Sequence, residues 1–126
     1  MKKITLLFFI LLSLKSFAQS GPDAIFGKWM VTPKENLSID VYKKGNEYIG
    51  KILSVKDNGT AKPGFIILEK LKYNPGSKTW TQGKIHNPKG GGTYSATAKI
   101  KEDGTLEVHA YKGFKFLGTN KVFRRI

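Results

Sequence analysis

Apolar and polar residues alternate along most of the chain after position 26, in short runs bounded by turn residues. Clusters of Gly, Pro, Asn and Asp interrupt these runs about every 8 to 12 residues, a spacing typical of all-β sandwiches and barrels. No segment after position 18 shows a convincing helical period. The pattern therefore predicts an all-β fold, as a single antiparallel meander barrel of about eight strands. The turn clusters lie at 32–36, 45–46, 57–64, 74–76, 88–92, 102–104 and 112–113.

Two hairpins can be registered from their side chains alone. A two-residue turn at 45–46 pairs Ile39 with Ile52, and it places Asp40 opposite Lys51. Apolar residues then meet apolar residues, and a charge meets its countercharge, which supports this register. A three-residue loop at 102–104 aligns the next hairpin equally well. Its predicted pairs are Ile100 with Leu106, Ala98 with Val108, Ala96 with Ala110, Lys99 with Glu107, and Thr97 with His109.

The strand that contains Trp80 poses a conflict between register and burial. Pairing Ile85 with Tyr94 and Gly83 with Ala96 keeps all four inside but turns Trp80 toward solvent. Either Trp80 is partly exposed or a β-bulge returns it to the core. Because burying an indole is worth more than an exposed contact, a bulge is the favoured prediction.

The first 18 residues have the pattern of a secretory signal peptide. Lys2 and Lys3 precede a largely apolar run over 4–14, and the small-x-small tripeptide 16–18 follows it. The apolar run is too short for the roughly 20 residues of a membrane span. We therefore expect residues 1–18 to be a signal peptide, 19–25 a short tether and 26–126 the β-barrel domain. The protein is predicted to be periplasmic or secreted, with no transmembrane segment after cleavage.

The composition adds a strongly basic charge and no cysteine. The chain has 22 Lys and Arg, 9 Asp and Glu, and a net charge of +13. Three of these basic residues and no acidic residue lie within 1–18, which leaves +10 on the mature part. Such a charge favours anionic partners, although scattered lysines also maintain solubility and protect sheet edges. The absence of cysteine excludes disulfides, so the hydrophobic core alone must hold the fold.

Small residues predicted on one inner wall leave space in the barrel. Either large side chains opposite fill that space, or it forms a small ligand cavity, and eight-stranded barrels can do either. The candidates to fill it are Tyr48, Phe65, Phe114 and Phe116. If a ligand binds there, these small residues and two aromatic neighbours are the candidate contacts. The candidate ligand-binding residues are Gly83, Tyr94, Ala96, Ala98, Ala110 and Phe116.

The residues that enzymes and metal sites require are sparse. His86 and His109 lie on different predicted strands, and we expect no acidic residue beside either, so no metal site and no cofactor are predicted. Glu35 and Glu69 have no assigned partner and cannot be brought together into a catalytic pair. No nucleophile-elbow motif is present. These observations predict that the protein is not an enzyme. Export argues against a nucleic-acid partner.

Several short motifs, in their order and spacing, resemble a small exported bacterial family known as domain of unknown function 2147. They lie at 27–29, 50–52, 66–71, 80–85, 88, 92–96, 106–111, 117–118 and 124. The resemblance covers nearly all of the mature domain. It implies a signal peptide and a barrel similar to lipocalins and fatty-acid-binding proteins, without an established activity.

That wider group of barrels also implies a closure motif. In it, a Gly-x-Trp on the first strand packs against a basic residue on the last strand. By this resemblance Gly27, Trp29 and Arg124 are expected to close the barrel, since arginine can stack on an indole while bonding to nearby carbonyls.

Two functional hypotheses follow from the sequence. The first is an exported, non-enzymatic barrel that binds a small apolar or amphipathic molecule. The second is an envelope interaction or structural protein that uses its basic surface to bind anionic lipid or polysaccharide.

Overall fold

Eight antiparallel strands close into a barrel after a short 3₁₀ helix at Pro22–Ile25. The computed structural model describes residues 21–56, 62–87, 92–113 and 118–126. Within these ranges each strand pairs with its neighbour in sequence, and the last pairs with the first, so the predicted meander barrel is confirmed. The strands are β1 (Gly27–Thr32), β2 (Leu37–Lys44), β3 (Glu47–Val55), β4 (Ile66–Asn74), β5 (Thr79–His86), β6 (Thr93–Ile100), β7 (Leu106–Tyr111) and β8 (Gly118–Arg125). None of the helices in the described residues is long and apolar enough to cross a membrane.

The predicted hairpin registers are confirmed. The β2–β3 pair aligns Ile39 with Ile52 and Asp40 with Lys51. Every pair predicted for β6–β7 is also present. Lys99 Nζ lies 3.5 Å from Glu107 Oε1 on the outer face. These strands formed as expected because alternation and turn chemistry agree on one register.

A β-bulge in β5 returns Trp80 to the core, as predicted. Trp80 pairs with Ala98 and Gly83 with Ala96, so two β5 residues lie opposite one β6 residue. Within the bulge, Gln82 has a φ of 62°. The indole of Trp80 is only 2% exposed. Burial of the indole therefore outweighs the loss of regular strand pairing.

The two ends of the barrel differ. We call the helix end the one that carries the 3₁₀ helix and the β2–β3, β4–β5 and β6–β7 connections. The remaining connections between strands leave from the opposite, loop end. Large buried side chains fill the interior near the helix end. They include Trp29, Trp80, Tyr48, Ile25 and Leu71.

Residues 22–25 of the predicted tether form the plug of the helix end. Ile25 is fully buried in the core. The Trp29 Nε1–H donates to the Ile25 carbonyl at 3.0 Å, and the Trp80 Nε1–H donates to the Pro22 carbonyl at 3.1 Å. The Tyr48 hydroxyl donates to Asp23 Oδ1 at 3.0 Å. Each buried polar atom of these aromatic residues is thus satisfied by the plug.

The arginine that closes the barrel is Arg125, and the prediction of Arg124 is wrong. The guanidinium of Arg125 lies 4.1 Å from the centroid of the Trp29 ring. It donates to the carbonyls of Phe26 at 2.7 Å and Ala24 at 2.9 Å. Arg124 instead faces outward, where its Nε donates to Glu35 at 2.7 Å.

Strand pairing explains this correction. The β1–β8 register places Trp29 directly opposite Arg125, on the same face as the buried Phe123. Gly27 has its expected place beside this contact, because a Cβ there would lie 3.0 Å from Arg125 Nη1. A glycine at this position leaves room for the guanidinium, and its φ of 119° suits glycine alone.

The plug makes the stability of the barrel sensitive to alkaline pH. Burial, strengthened by the hydrogen bond to Asp23, raises the pKa of Tyr48 from 10.0 to about 12. The tyrosinate is therefore disfavoured in the folded state. The resulting stabilisation is fully present below pH 10 and is lost between about pH 10 and 12. We expect roughly 2–3 kcal/mol to disappear over this window.

Urea unfolding followed by far-ultraviolet circular dichroism at several pH values tests this expectation. Tyr48→Phe should flatten the pH dependence above pH 10, since it removes the ionising group. Tyr42→Phe, on the outer face, is the control and should keep the wild-type profile. Equal profiles for wild type and Tyr48→Phe would show that the plug does not hold this hydroxyl.

Candidate functional site

A cavity of about 780 Å³ occupies the interior at the loop end. This volume lies within the range of about 300–1,000 Å³ typical of small-molecule sites. Its apolar wall comes from several strands around the barrel. The apolar residues include Val31, Leu37, Val55, Ile67, Ile85 and Phe123. Among the described residues, the barrel is thus packed at the helix end and lines a cavity at the loop end.

Of the predicted ligand-binding residues, Tyr94 and Ala110 line this cavity. Ala110 pairs with Thr119 of β8, and its small side chain leaves room for the cavity at this position. Tyr94 pairs with the lining residue Ile85 across β5–β6. Their role in binding stays a prediction. Phe116 lies outside the described residues.

Gly83, Ala96 and Ala98 do not line the cavity, contrary to the prediction. They belong to the packed half, where Ala96 is 1% and Ala98 2% exposed. The space over Gly83 is taken by Leu71, whose Cδ2 would lie 2.5 Å from a Cβ on the glycine. Small residues on this wall therefore admit large neighbours instead of a ligand.

The cavity mouth carries a cluster of cationic side chains. Lys34, Lys112 and Lys121 all contribute to its lining, and no Asp or Glu among the described residues does. Lys112 Nζ lies 5.3 Å from the centroid of the Tyr94 ring, a cation–π arrangement. Lys121 pairs with the buried Val108, so it belongs to the inward row of β8. We call these three residues the lysine mouth.

An acidic residue does lie beside His86, and the expectation that none would is wrong. Glu69 Oε2 and His86 Nε2 are hydrogen-bonded, and His86 Nδ1 lies 2.8 Å from Thr93 Oγ1. The β4–β5 register, which aligns Leu68 with Ile85, makes Glu69 and His86 close neighbours. That register was not deduced from the sequence. Knowing it would have predicted the contact between Glu69 and His86.

This cluster does not form a metal centre. Within the described ranges, no group of three or more His, Cys, Asp or Glu residues is placed to hold a metal ion. His86 lies at the cavity rim, whereas neither Glu69 nor Thr93 belongs to the lining. The arrangement orients the imidazole at the rim through two hydrogen bonds.

Comparisons with known proteins agree with this architecture. The model of a family described as "Uncharacterized protein conserved in bacteria (DUF2147)" matches residues 27–125. No curated protein matches the chain. A solved structure described as "Protein HP1028 from the human pathogen Helicobacter pylori belongs to the lipocalin family" has a TM-score of 0.67. The two sequences are 17% identical, and the alignment covers 81% of this chain and 82% of that one, so the likeness concerns the fold.

Proposed function

This chain belongs to the bacterial DUF2147 family, and from its lipocalin-like barrel we propose that it is an exported, non-enzymatic protein that binds a small apolar or amphipathic molecule. The observation that carries the proposal is the hollow loop end. A barrel of this size can be filled by its own side chains, as the helix end is. An apolar cavity with a few polar groups at its mouth is the usual form of a small-molecule site.

Export is supported by the residue pattern of the first 18 positions, with two lysines, an apolar run and a small-x-small tripeptide. We infer that the mature barrel meets its ligand in the envelope or outside the cell.

The absence of catalysis is supported by the position of the histidine cluster. A hydroxyl, an imidazole and a carboxylate also occur together in serine hydrolases, where the hydroxyl points into the substrate site. Here the hydroxyl belongs to Thr93, which is exposed and does not contribute to the cavity lining. A ligand in the cavity would therefore meet the edge of His86 without the hydroxyl that contacts its imidazole.

The second hypothesis, binding of anionic lipid or polysaccharide through the outer surface, is favoured by the net charge of +10 that remains when the three lysines of residues 1–18 are taken from the +13 of the whole chain. Exposed lysines occur on several strands and turns of the described residues, including Lys28, Lys44, Lys72 and Lys101. Attraction of this kind is screened by salt. Retention on anionic vesicles that is lost at high salt, without any occupant in the cavity, would favour this alternative.

Filling the cavity is expected to abolish binding of a neutral apolar probe. The wild-type protein should enhance the fluorescence of the dye N-phenylnaphthylamine. Ala110→Trp places an indole in the cavity and should weaken dye binding by at least about tenfold, because the apolar contact area of the dye is lost. Thr97→Trp, on the outer face of β6, is the matched control and should bind like wild type.

Circular dichroism and thermal melting confirm that each variant is folded. Equal dye affinity in wild type and folded Ala110→Trp would contradict the proposed site.

A second experiment identifies the natural ligand. Native mass spectrometry of protein purified from its own cell envelope would detect a co-purifying molecule, and the mass of that molecule defines its chemical class.

A further inference from the structure

We propose that the lysine mouth selects ligands with an anionic headgroup, held at the loop end while an apolar tail enters the cavity. This inference rests on the proposed function and goes beyond it by naming the class of ligand. The cavity combines a wall of aliphatic and aromatic side chains with three ammonium groups at its opening. An amphiphile with an acidic head matches both parts.

The position of Lys121 is the first step of the argument. Its pairing with Val108 puts it on the inward row of β8, with Phe123 two positions along and deeper in the barrel. The side chain of Lys121 is exposed, so its ammonium remains hydrated at the opening. Inward charges can protect a sheet edge, but this barrel is closed and β8 has no free edge. The lysine is instead placed to meet a charge on a bound ligand.

Lys112 provides the second step. Its ammonium lies over the ring of Tyr94, which itself lines the cavity. This contact holds the cation at the opening and leaves its N–H groups available to an acceptor. Lys34, in the β1–β2 connection, adds a third ammonium on the same rim.

Among the described residues, the acidic ones near the rim are already engaged, which is the third step. Glu35, next to Lys34, accepts a hydrogen bond from Arg124 at 2.7 Å. Glu69 is paired with His86. Within the described residues, no carboxylate forms an ion pair with Lys34, Lys112 or Lys121. The field at the mouth is therefore positive, and it favours a carboxylate or a phosphate monoester.

Ligands of one chain length and different heads test this inference. Isothermal titration calorimetry would compare dodecanoate, dodecyl phosphate, dodecanol and dodecyltrimethylammonium with the wild-type protein. We expect at least one of the two acids to bind about tenfold or more tightly than dodecanol, and the cation to bind least tightly. The acid with the larger preference distinguishes a carboxylate head from a phosphate head.

Two triple variants with the same change of net charge isolate the mouth. In Lys34→Gln/Lys112→Gln/Lys121→Gln, the acid should bind about as tightly as dodecanol, and the affinity for dodecanol should be unchanged. Lys44→Gln/Lys72→Gln/Lys101→Gln, whose lysines are exposed and away from the cavity lining, should keep the wild-type preference. All substituted lysines are solvent-facing, so folding should persist, and melting curves check this.

The outcomes separate this inference from the proposed function. If dodecanol and both acids bind equally, the cavity binds amphiphiles but the lysine mouth does not select them. If both triple variants lose the preference equally, the overall charge is responsible and the mouth is not. If none of the four compounds binds the wild-type protein, the proposed binding of amphipathic molecules is itself wrong.

Discussion

Arg125→Met is expected to lower the free energy of unfolding by about 3–5 kcal/mol, an order of magnitude that follows from losing two charge-assisted hydrogen bonds and a stacking contact. The Arg125 guanidinium covers the Trp29 ring and satisfies two carbonyls of the chain that enters β1. Methionine restores part of the apolar contact but no donor. The carbonyls of Ala24 and Phe26 are then left without these partners, which adds the cost of unpaired polar groups.

Arg124→Met is the matched control for this variant. Arg124 makes an exposed ion pair with Glu35, and such pairs contribute about 0–1 kcal/mol. Urea unfolding of both variants, with equal slopes against denaturant, gives the two values. The assignment of barrel closure to Arg125 fails if the two substitutions cost the same, or if Arg124→Met costs more.

Leu71→Ala is expected to lower the free energy of unfolding by about 2–5 kcal/mol, because Leu71 is fully buried and fills the space over Gly83. Gly83→Ala should cost about 1–3 kcal/mol for the opposite reason. Its new Cβ would lie 2.5 Å from Leu71 Cδ2 and 2.9 Å from Leu71 Cγ, so the leucine must move in a packed core.

The double variant decides whether these two costs share one cause. With Leu71→Ala present, the methyl of Gly83→Ala enters the vacated space and relieves part of the cavity. The combined loss of stability should therefore be smaller than the sum of the single losses by about 1 kcal/mol or more. Simple additivity in this double-mutant cycle would show that Leu71 does not occupy the space left by the glycine.

Local patterns proved sufficient for much of the fold. The β2–β3 and β6–β7 registers followed from turn length and alternation, because a hairpin brings together residues that are near in sequence. The bulge at Trp80 could also be predicted, because a regular β5–β6 register would have exposed the indole. In each case one local rule and one burial rule agreed on a single arrangement.

The errors came from contacts between strands whose pairing offset was not counted from the sequence. Arg125 and Arg124 are neighbours, and only the pairing of β8 with β1 decides which of them faces Trp29. The same holds for Glu69 and His86, which the β4–β5 register brings together. Barrel closure sets the β1–β8 register, and it leaves no turn motif by which the offset can be counted. β4 and β5 are joined by the short turn 75–78, with Asn74 opposite Thr79, and that register was not counted from the sequence.

The candidate site was predicted in part, and for a physical reason. The small residues of β5, β6 and β7 were correctly placed on the inner wall, but their side chains do not reveal what lies opposite. Leu71 fills the space over Gly83, whereas the wall around Ala110 remains open to the cavity. Whether the space beside a small residue is filled depends on which strand faces it across the barrel, and only the closed structure decides this.

The sequence by itself determined the strand order, the tight hairpins and the alternation of inner and outer faces, since these depend on neighbouring residues and on burial of apolar side chains. Only the tertiary structure decided that the barrel is packed at one end and hollow at the other. It also decided that Arg125 closes it and that three lysines meet at the mouth. These features arise where residues far apart in sequence are brought together by closing the sheet into a barrel.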